Sequence, residues 1–353
     1  MVDANRDDRA RLRLMIDGYQ VSQAIAVAAE LGIADLLAAG PRRAEELAQA
    51  TGAHRRSLLR LLRALAAIGV LVEVAGGERT FGLSPLGDGL RSDAPGSVWA
   101  LAIQAGQPAM WAAWGDLRHS VMSGESAFRH IHGMGAWDYR AQHPDAGERF
   151  DRAMEAGAKE IATRIVAAYD FGGVRRVVDV GGGHGALLAE ILGARPAVRG
   201  VLFDLPRVVE AAGPVLEAAG VGARCEVVGG DLFAEVPAGG DVYVLKGVIH
   251  DWDDADAIRI LRNCRRVMGA GSKLLVIEQV IPDDRGAEPF TLFIDLHMLA
   301  IHGAGERTVE EFGELFTTAG FRLGRVVPVD GAMRVLEASP VLPYSHQDAA
   351  APQ

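Results

Sequence analysis

The stretch Val177-Val178-Asp179-Val180-Gly181-Gly182-Gly183-His184-Gly185-Ala186-Leu187-Leu188 constrains the fold more than any other part of the chain. An apolar run that ends in an acid reads as a buried strand, the glycines as a tight turn, and the apolar pattern continuing through Ala189, Ile191 and Leu192 as a helix. Lacking a Cβ, the glycine backbone lets a ligand come close, and the bound group meets free N–H donors at the helix N-terminus. Such a cradle serves more than one nucleoside ligand. Gly181, Gly183 and Ala186 also satisfy the looser dinucleotide pattern G-x-G-x-x-A, and Asp204 stands where a ribose-binding acid belongs in either case.

From Val174 onward, strand-like and helix-length segments alternate. Strands are expected at about Arg176–Val180, Gly200–Asp204, Cys225–Gly229, Val242–Lys246 and Lys273–Gln279, with a last pair near Leu323–Val327 and Met333–Ala338. This alternation implies an α/β fold with a doubly wound, mostly parallel sheet, whose ligands bind at the carboxyl ends of the strands. The residues at those ends are Asp179 and the glycines, Asp204, Asp231 with Leu232 and Phe233, Lys246, His250 with Asp251, and Glu278. A dinucleotide needs donors for its pyrophosphate, whereas S-adenosylmethionine has no phosphate and brings an ammonium, a sulfonium and an adenosine. Three acids at successive strand ends suit the second ligand: Asp179 for the ammonium, Asp204 for the ribose hydroxyls, Asp231 for the adenine amino group with Leu232 or Phe233 against the ring. Each aspartate taken singly also reads as a turn or helix cap.

At 353 residues the chain calls for more than one domain. Residues 1–95 outline a winged helix-turn-helix: a helix over about Leu12–Ala38, helices over Arg43–Ala50 and Arg55–Ile68, strands at Val70–Val74 and Thr80–Leu83, and a turn at Gly76–Gly77. This region holds 12 Arg and no Lys against 12 acids, which is no footprint for DNA; a dimerisation module fits its Leu-rich helices better. Residues 96–170 form a helical connector rich in aromatics and Met, and Trp114, Phe150 and Met154 on it are expected to wall a flat apolar ligand, though core packing explains any one of them. Residues 171–340 form the catalytic domain and 341–353 a disordered tail. The net charge of -10 disfavours nucleic acid and anionic membranes as partners. No apolar run is long enough to span a membrane, Met1–Arg13 is charged where a signal peptide would be apolar, and a cytoplasmic chain is expected. Cys225 and Cys264 read as reduced structural thiols, and no metal site is expected.

The segment Asp241–Asp254, DVYVLKGVIHDWDD, carries the chemistry. His250 falls on a strand-to-helix loop, with Asp253 or Asp254 capping the helix that follows. An imidazole, ordinarily titrating near 6.5, is suited to take the proton of a phenolic hydroxyl as that oxygen attacks. Glu278 and Glu306 are the carboxylates available to orient it, although Glu306 also reads as a surface acid paired with Arg307.

With these residues in place the sequence resembles the small-molecule O-methyltransferases typified by plant caffeic acid O-methyltransferase and by bacterial enzymes that tailor polyketide, phenazine and other aromatic natural products. The resemblance runs from the winged helix to about Pro340 through VVDVGGGHG, FDLP, GDLF, LKGVIHDWDD, VIEQVIPDD and GERTVEEF, in the family's order. It implies a Rossmann-like methyltransferase sheet behind an N-terminal winged-helix dimerisation domain. It implies that Gly181, Gly183, Asp204, Asp231, Leu232 and Lys246 contact S-adenosylmethionine, and that His250 is the base, flanked by Glu278 and Glu306, with Asp251 beside the site. Phe150 and Met154 keep the F-x-x-x-M spacing of the plant acceptor pocket, and Met298 falls on the matching later helix. His297 and His302 depart from the plant pattern, and the loop before Glu306 is one residue shorter; both departures bear on the acceptor rather than on the reaction. The expected function is methyl transfer from S-adenosylmethionine to a hydroxyl of a small aromatic metabolite, by a homodimer. Alternatives are a relative that hydroxylates or decarboxylates instead, a nicotinamide oxidoreductase, and a ligand-responsive DNA-binding regulator.

Overall fold

The computed structural model describes residues 2–75, 79–282 and 286–341, with side chains from residue 7 onward. The expected turn at Gly76–Gly77, the end of the VIEQVIPDD motif and the tail from residue 342 lie outside the described residues. The chain divides into two compact units, one made of residues 1–115 with 137–157, the other of 116–136 with 158–353. The segment expected to act as a single connector is thus shared between them, and each unit is described by itself.

In the first unit, the one long helix expected over Leu12–Ala38 is three: Val2–Ile16, Gly18–Glu30 and Ile33–Leu37. The last break comes at Gly32, whose φ of 62° is a left-handed conformation that ends a helix and that a side chain would resist. Helices Ala44–Thr51 and Arg55–Ala67 follow, and the second buries Leu58, Leu59, Leu62 and Leu65 along one stripe. That stripe packs with Leu37, Leu47 and Phe81 into the unit's core. The wing is a three-stranded antiparallel sheet in the order β1-β3-β2, with β1 Arg42–Arg43, β2 Leu71–Glu73 and β3 Thr80–Leu83. The short β1 was not legible in the sequence. Trp99 donates its indole N–H to the Ala29 carbonyl at 3.0 Å, tying the helix Trp99–Ala105 to this unit.

In the second unit, β4 Arg176–Val180, β5 Arg199–Asp204, β6 Cys225–Gly229, β7 Val242–Lys246, β8 Lys273–Gln279, β9 Phe321–Asp330 and β10 Met333–Pro340 form a seven-stranded sheet in the order β6-β5-β4-β7-β8-β10-β9. β10 runs antiparallel to its neighbours β8 and β9, whereas the pairs from β6 to β8 are parallel. Alternate residues feed two cores. Val178, Val180, Tyr243, Leu245, Leu274 and Val276 pack with helices Asp254–Val267 and Val309–Ala319. Val177, Leu202, Val244, Leu275 and Ile277 pack with helices Ala158–Ala168 and Ala186–Ala194 on the other face. With roughly 1.5–3 kcal/mol from each fully buried aliphatic side chain, this two-sided burial holds the strand ends rigidly in register. Because β6, β5 and β4 are neighbours, the acids at or just beyond their ends stand side by side at one edge of the sheet's carboxyl rim.

Candidate active site

The cradle forms where β4 leaves the core. Gly181, Gly183 and Gly185 adopt φ of 71°, 59° and 84°, which side chains rarely tolerate. Gly182, passed over in the sequence reading, is sterically as demanding: a Cβ there would lie 2.6 Å from Leu202 Cδ1 and 2.7 Å from the Asp179 carboxyl. Gly182 thus seats the turn directly on Asp179. That aspartate is 1% exposed, and its Oδ2 has no hydrogen-bond partner. Burial pushes its pKa up to about 7, against the opposing pull of the Lys246 ammonium at the end of β7. A buried carboxylate oxygen left unpaired is costly, and a cationic ligand in the cradle would satisfy it.

Asp204, ending β5, accepts from Gly183 N–H at 2.8 Å and Leu205 N–H at 2.7 Å. Burial raises its pKa, partly offset by those two N–H groups. Asp231 accepts from Phe233 N–H at 2.8 Å, so it does form the turn that an aspartate there can form. The same turn orients its neighbours: the Leu232 carbonyl accepts from Asn263 Nδ2 at 2.8 Å, and the Phe233 ring packs edge-on against Trp252 with the Arg259 guanidinium over its face.

The second half of the site grows from β7 and β8. Past Lys246, Gly247 turns with φ 62°, and the N–H groups of Val248 and Ile249 both donate to Glu278 Oε1, at 2.9 and 2.8 Å. Glu278, at the end of β8 and 1% exposed, therefore holds the loop that presents His250. His250 Nδ1 lies 2.8 Å from Glu306 Oε1 and 3.6 Å from Glu278 Oε2, while its Nε2 lies 3.8 Å from Asp251 Oδ1. Burial alone would lower the imidazole pKa, but Glu278, Asp251 and Glu306 outweigh it and push the value up to about 10. The ring thus sits in a cage of carboxylates that favours its protonated form and lifts it above the ordinary imidazole value.

Glu306 does not pair with Arg307. Its backbone N–H donates to Asp295 Oδ1 at 2.9 Å, and its carboxylate turns to His250. Arg307, 7% exposed, instead donates to the carbonyls of Ile249 (3.1 Å) and Trp252 (2.8 Å) and to Asp254 Oδ1 (2.8 Å), clamping the loop that carries His250. The sequence reading assigned Arg307 no part in this site; its position next to Glu306 in GERT was the available signal. Asp253 caps the following helix through Asp256 N–H, as expected. His302, half-buried at the end of helix Pro289–His302, brings Nε2 to 3.5 Å from Asp251 Oδ1, and Met298 lies one turn earlier. Trp114, Phe150 and Met154 belong to the first unit, where Phe150 packs edge-on against Trp137 and beneath the Arg140 guanidinium, and Met154 is 51% exposed.

Residues 114–322 match the family model of the O-methyltransferase domain, and residues 14–93 that of the O-methyltransferase dimerisation domain. The chain belongs to the O-methyltransferase family. It is 48% identical to the phenazine O-methyltransferase of Lysobacter antibioticus, over 93% of this chain and 95% of that protein. The solved structure of mitomycin 7-O-methyltransferase superposes with a TM-score of 0.91 at 40% identity, covering 97% of this chain and 100% of that one. An O-methyltransferase of neocarzinostatin biosynthesis, solved with S-adenosylmethionine and 2-hydroxy-5-methyl naphthoic acid, matches with a TM-score of 0.80 at 36% identity over 91% and 96% of the two chains. The protein is an S-adenosylmethionine-dependent methyltransferase with a Rossmann-like sheet, and an unpaired buried Asp179 under a glycine turn fits that cationic cofactor better than it fits a pyrophosphate.

One measurement tests the cofactor edge. Asp204→Ala removes the anchor of Gly183 N–H at the glycine turn, and S-adenosylmethionine affinity should fall by about 1–3 kcal/mol, roughly 5- to 150-fold. Unchanged affinity by calorimetry would reduce Asp204 to a turn residue.

Proposed function

We propose that this methyltransferase modifies a phenolic hydroxyl of a small, flat aromatic metabolite, with His250 as general base. The observation that carries the reading is the polarity of His250: Nδ1 is held by Glu306 at 2.8 Å, which leaves Nε2 to face the acceptor. S-adenosylmethionine, when bound, supplies an electrophilic methyl group. Asp179 is assigned to its ammonium, Asp204 to its ribose, Asp231 with Leu232 and Phe233 to its adenine, and Gly181, Gly183, Lys246 and Asp251 to the remaining contacts. The Lysobacter relative is named for phenazines and the neocarzinostatin enzyme was solved with a naphthoic acid, both fused aromatics, which supports a flat acceptor. Trp114, Phe150, Met154, Met298 and His302 are the residues assigned to hold it. The N-terminal match supports a homodimer, and the transfer as drawn calls on no metal.

The carboxylate cage defines how the base works. The surrounding carboxylates raise the proton affinity of the imidazole, so a neutral ring is well matched to take the phenolic proton as the oxygen attacks. Most of the rate then comes from holding oxygen and methyl group in line in a water-poor site. Assay with S-adenosylmethionine and a panel of hydroxyarenes should give the methyl ether and S-adenosylhomocysteine. A hydroxylated or decarboxylated product without methyl transfer would favour the atypical branch instead.

The pH dependence has a definite sign. His250 is raised from about 6.5 in the unfolded chain to about 10 in the folded one, so its contribution to stability is complete below pH 6.5 and is lost as pH rises through 10. Imidazole NMR of the cofactor-free protein should show the ring still protonated at pH 8, and Glu306→Gln should shift its titration to lower pH. A ring that titrates near 6.5 would contradict the cage.

A further inference from the structure

Outside the active site, four chemistry-bearing side chains meet at the corner between helices Leu117–Ser123 and Ala127–His132. His119 and His130 lie face to face, ring centroids 3.9 Å apart and planes 7° from parallel. Asp116 Oδ2 is 2.7 Å from His130 Nδ1, and Glu125 Oε2 is 3.8 Å from His119 Nε2. His119 Nε2 is shut off from solvent without a hydrogen-bond partner. Asp116 holds the N-cap position of its helix, yet its side chain caps no backbone amide and turns to His130, forgoing roughly 1 kcal/mol of helix stabilisation. One ligand atom from each of Asp116, His119 and His130 falls within 4.8 Å of the other two.

We propose that Asp116, His119 and His130, with Glu125 as a further oxygen donor, form a structural site for a divalent transition-metal ion of the zinc class. Two imidazoles with one or two carboxylates are a donor set that suits Zn²⁺, Co²⁺ or Ni²⁺ rather than Ca²⁺ or Mg²⁺. Metal–ligand bonds of about 2.0–2.2 Å need ligand atoms little more than about 3 Å apart, so the cluster must tighten and the His130 ring must turn out of the parallel stack. The exposed corner permits both, since His130 is 56% and Glu125 78% exposed. Binding would give His119 Nε2 the partner it lacks.

The corner is well placed to matter. Ser126, between the two histidines, donates from Oγ to the Ile301 carbonyl at 2.7 Å, and a Cβ on Gly303 would lie 3.0 Å from Ser126 N. An ion there would brace the end of helix Pro289–His302 and the turn that leads to Glu306.

The test uses the full chain stripped with a chelator and titrated with Zn²⁺ by calorimetry and with Co²⁺ by visible absorption. A single equivalent should bind with micromolar or tighter affinity, and melting should rise by about 2–5 °C at 100-fold excess over Kd. His119→Asn combined with His130→Asn should weaken binding at least about 100-fold while leaving the metal-free melting temperature unchanged. His250→Asn, which alters the other His-carboxylate cluster, should bind as wild type does. No stoichiometric binding, binding that survives the double substitution, or binding lost in His250→Asn would each overturn the proposal.

Discussion

Replacing His250 by alanine should lower methyl transfer by roughly two to four orders of magnitude while S-adenosylmethionine binds almost as before. The cofactor edge of the site is built from β4, β5 and the turn after β6, whereas His250 stands on the loop after β7, so the two properties are separable. The substitution also removes the cation from among Glu278, Glu306 and Asp251, and uncompensated buried carboxylates are destabilising by several kcal/mol unless they take up protons. His250→Asn is therefore the companion variant, since its amide can still donate toward Glu306. Single-turnover rates and cofactor calorimetry on both variants decide the matter; near-normal turnover in either would end the assignment of His250 as base.

Removal of residues 1–30 should abolish dimerisation and acceptor turnover together, while the glycine cradle retains cofactor affinity. The first two helices carry Leu12, Leu14, Met15, Ile16 and Tyr19 at 55–74% exposure, an apolar stripe that water disfavours and that a twin subunit would cover. Residues 26, 28 and 29 are buried in their own unit, so the longer deletion also costs core packing. Removing only residues 1–16 strips Leu12, Leu14, Met15 and Ile16 from that stripe and spares this core. A truncated chain that sediments as a monomer and turns over at the full rate would show that the helices neither pair subunits nor shape the site.

The catalytic half was legible because its signals are local. β4, β6, β7 and β8 fall on the bounds expected from apolar runs bracketed by glycine or charge, and the acids that follow them need only the rule that ligands sit at strand ends. His250 beside Glu306 was legible through the family's motifs, but its pKa was not, because the cage joins residues 28 and 56 positions apart. Arg307 was missed for the same reason: its partners at Ile249, Trp252 and Asp254 are remote in sequence. Gly182 looked like one glycine among several until Asp179 was found beneath it. The two-residue β1 has no pattern to read; it exists because β3 passes beside it.

Arg307 and Glu306 are consecutive, and between them they grip the carbonyls on either side of His250 and its ring. The setting of His250 thereby rests mainly on these two residues rather than on the helix Pro289–His302, whose Met298 and His302 are proposed for the acceptor. Mutations on that helix can retune which molecule is methylated without disturbing how its proton is removed. The exceptions on that helix are Asp295, which holds the Glu306 amide, and His302, which approaches Asp251 beside His250. A lineage diversifying its acceptors is therefore expected to change the surrounding turns while these two side chains stay, a division of labour that gives one catalytic core many substrates.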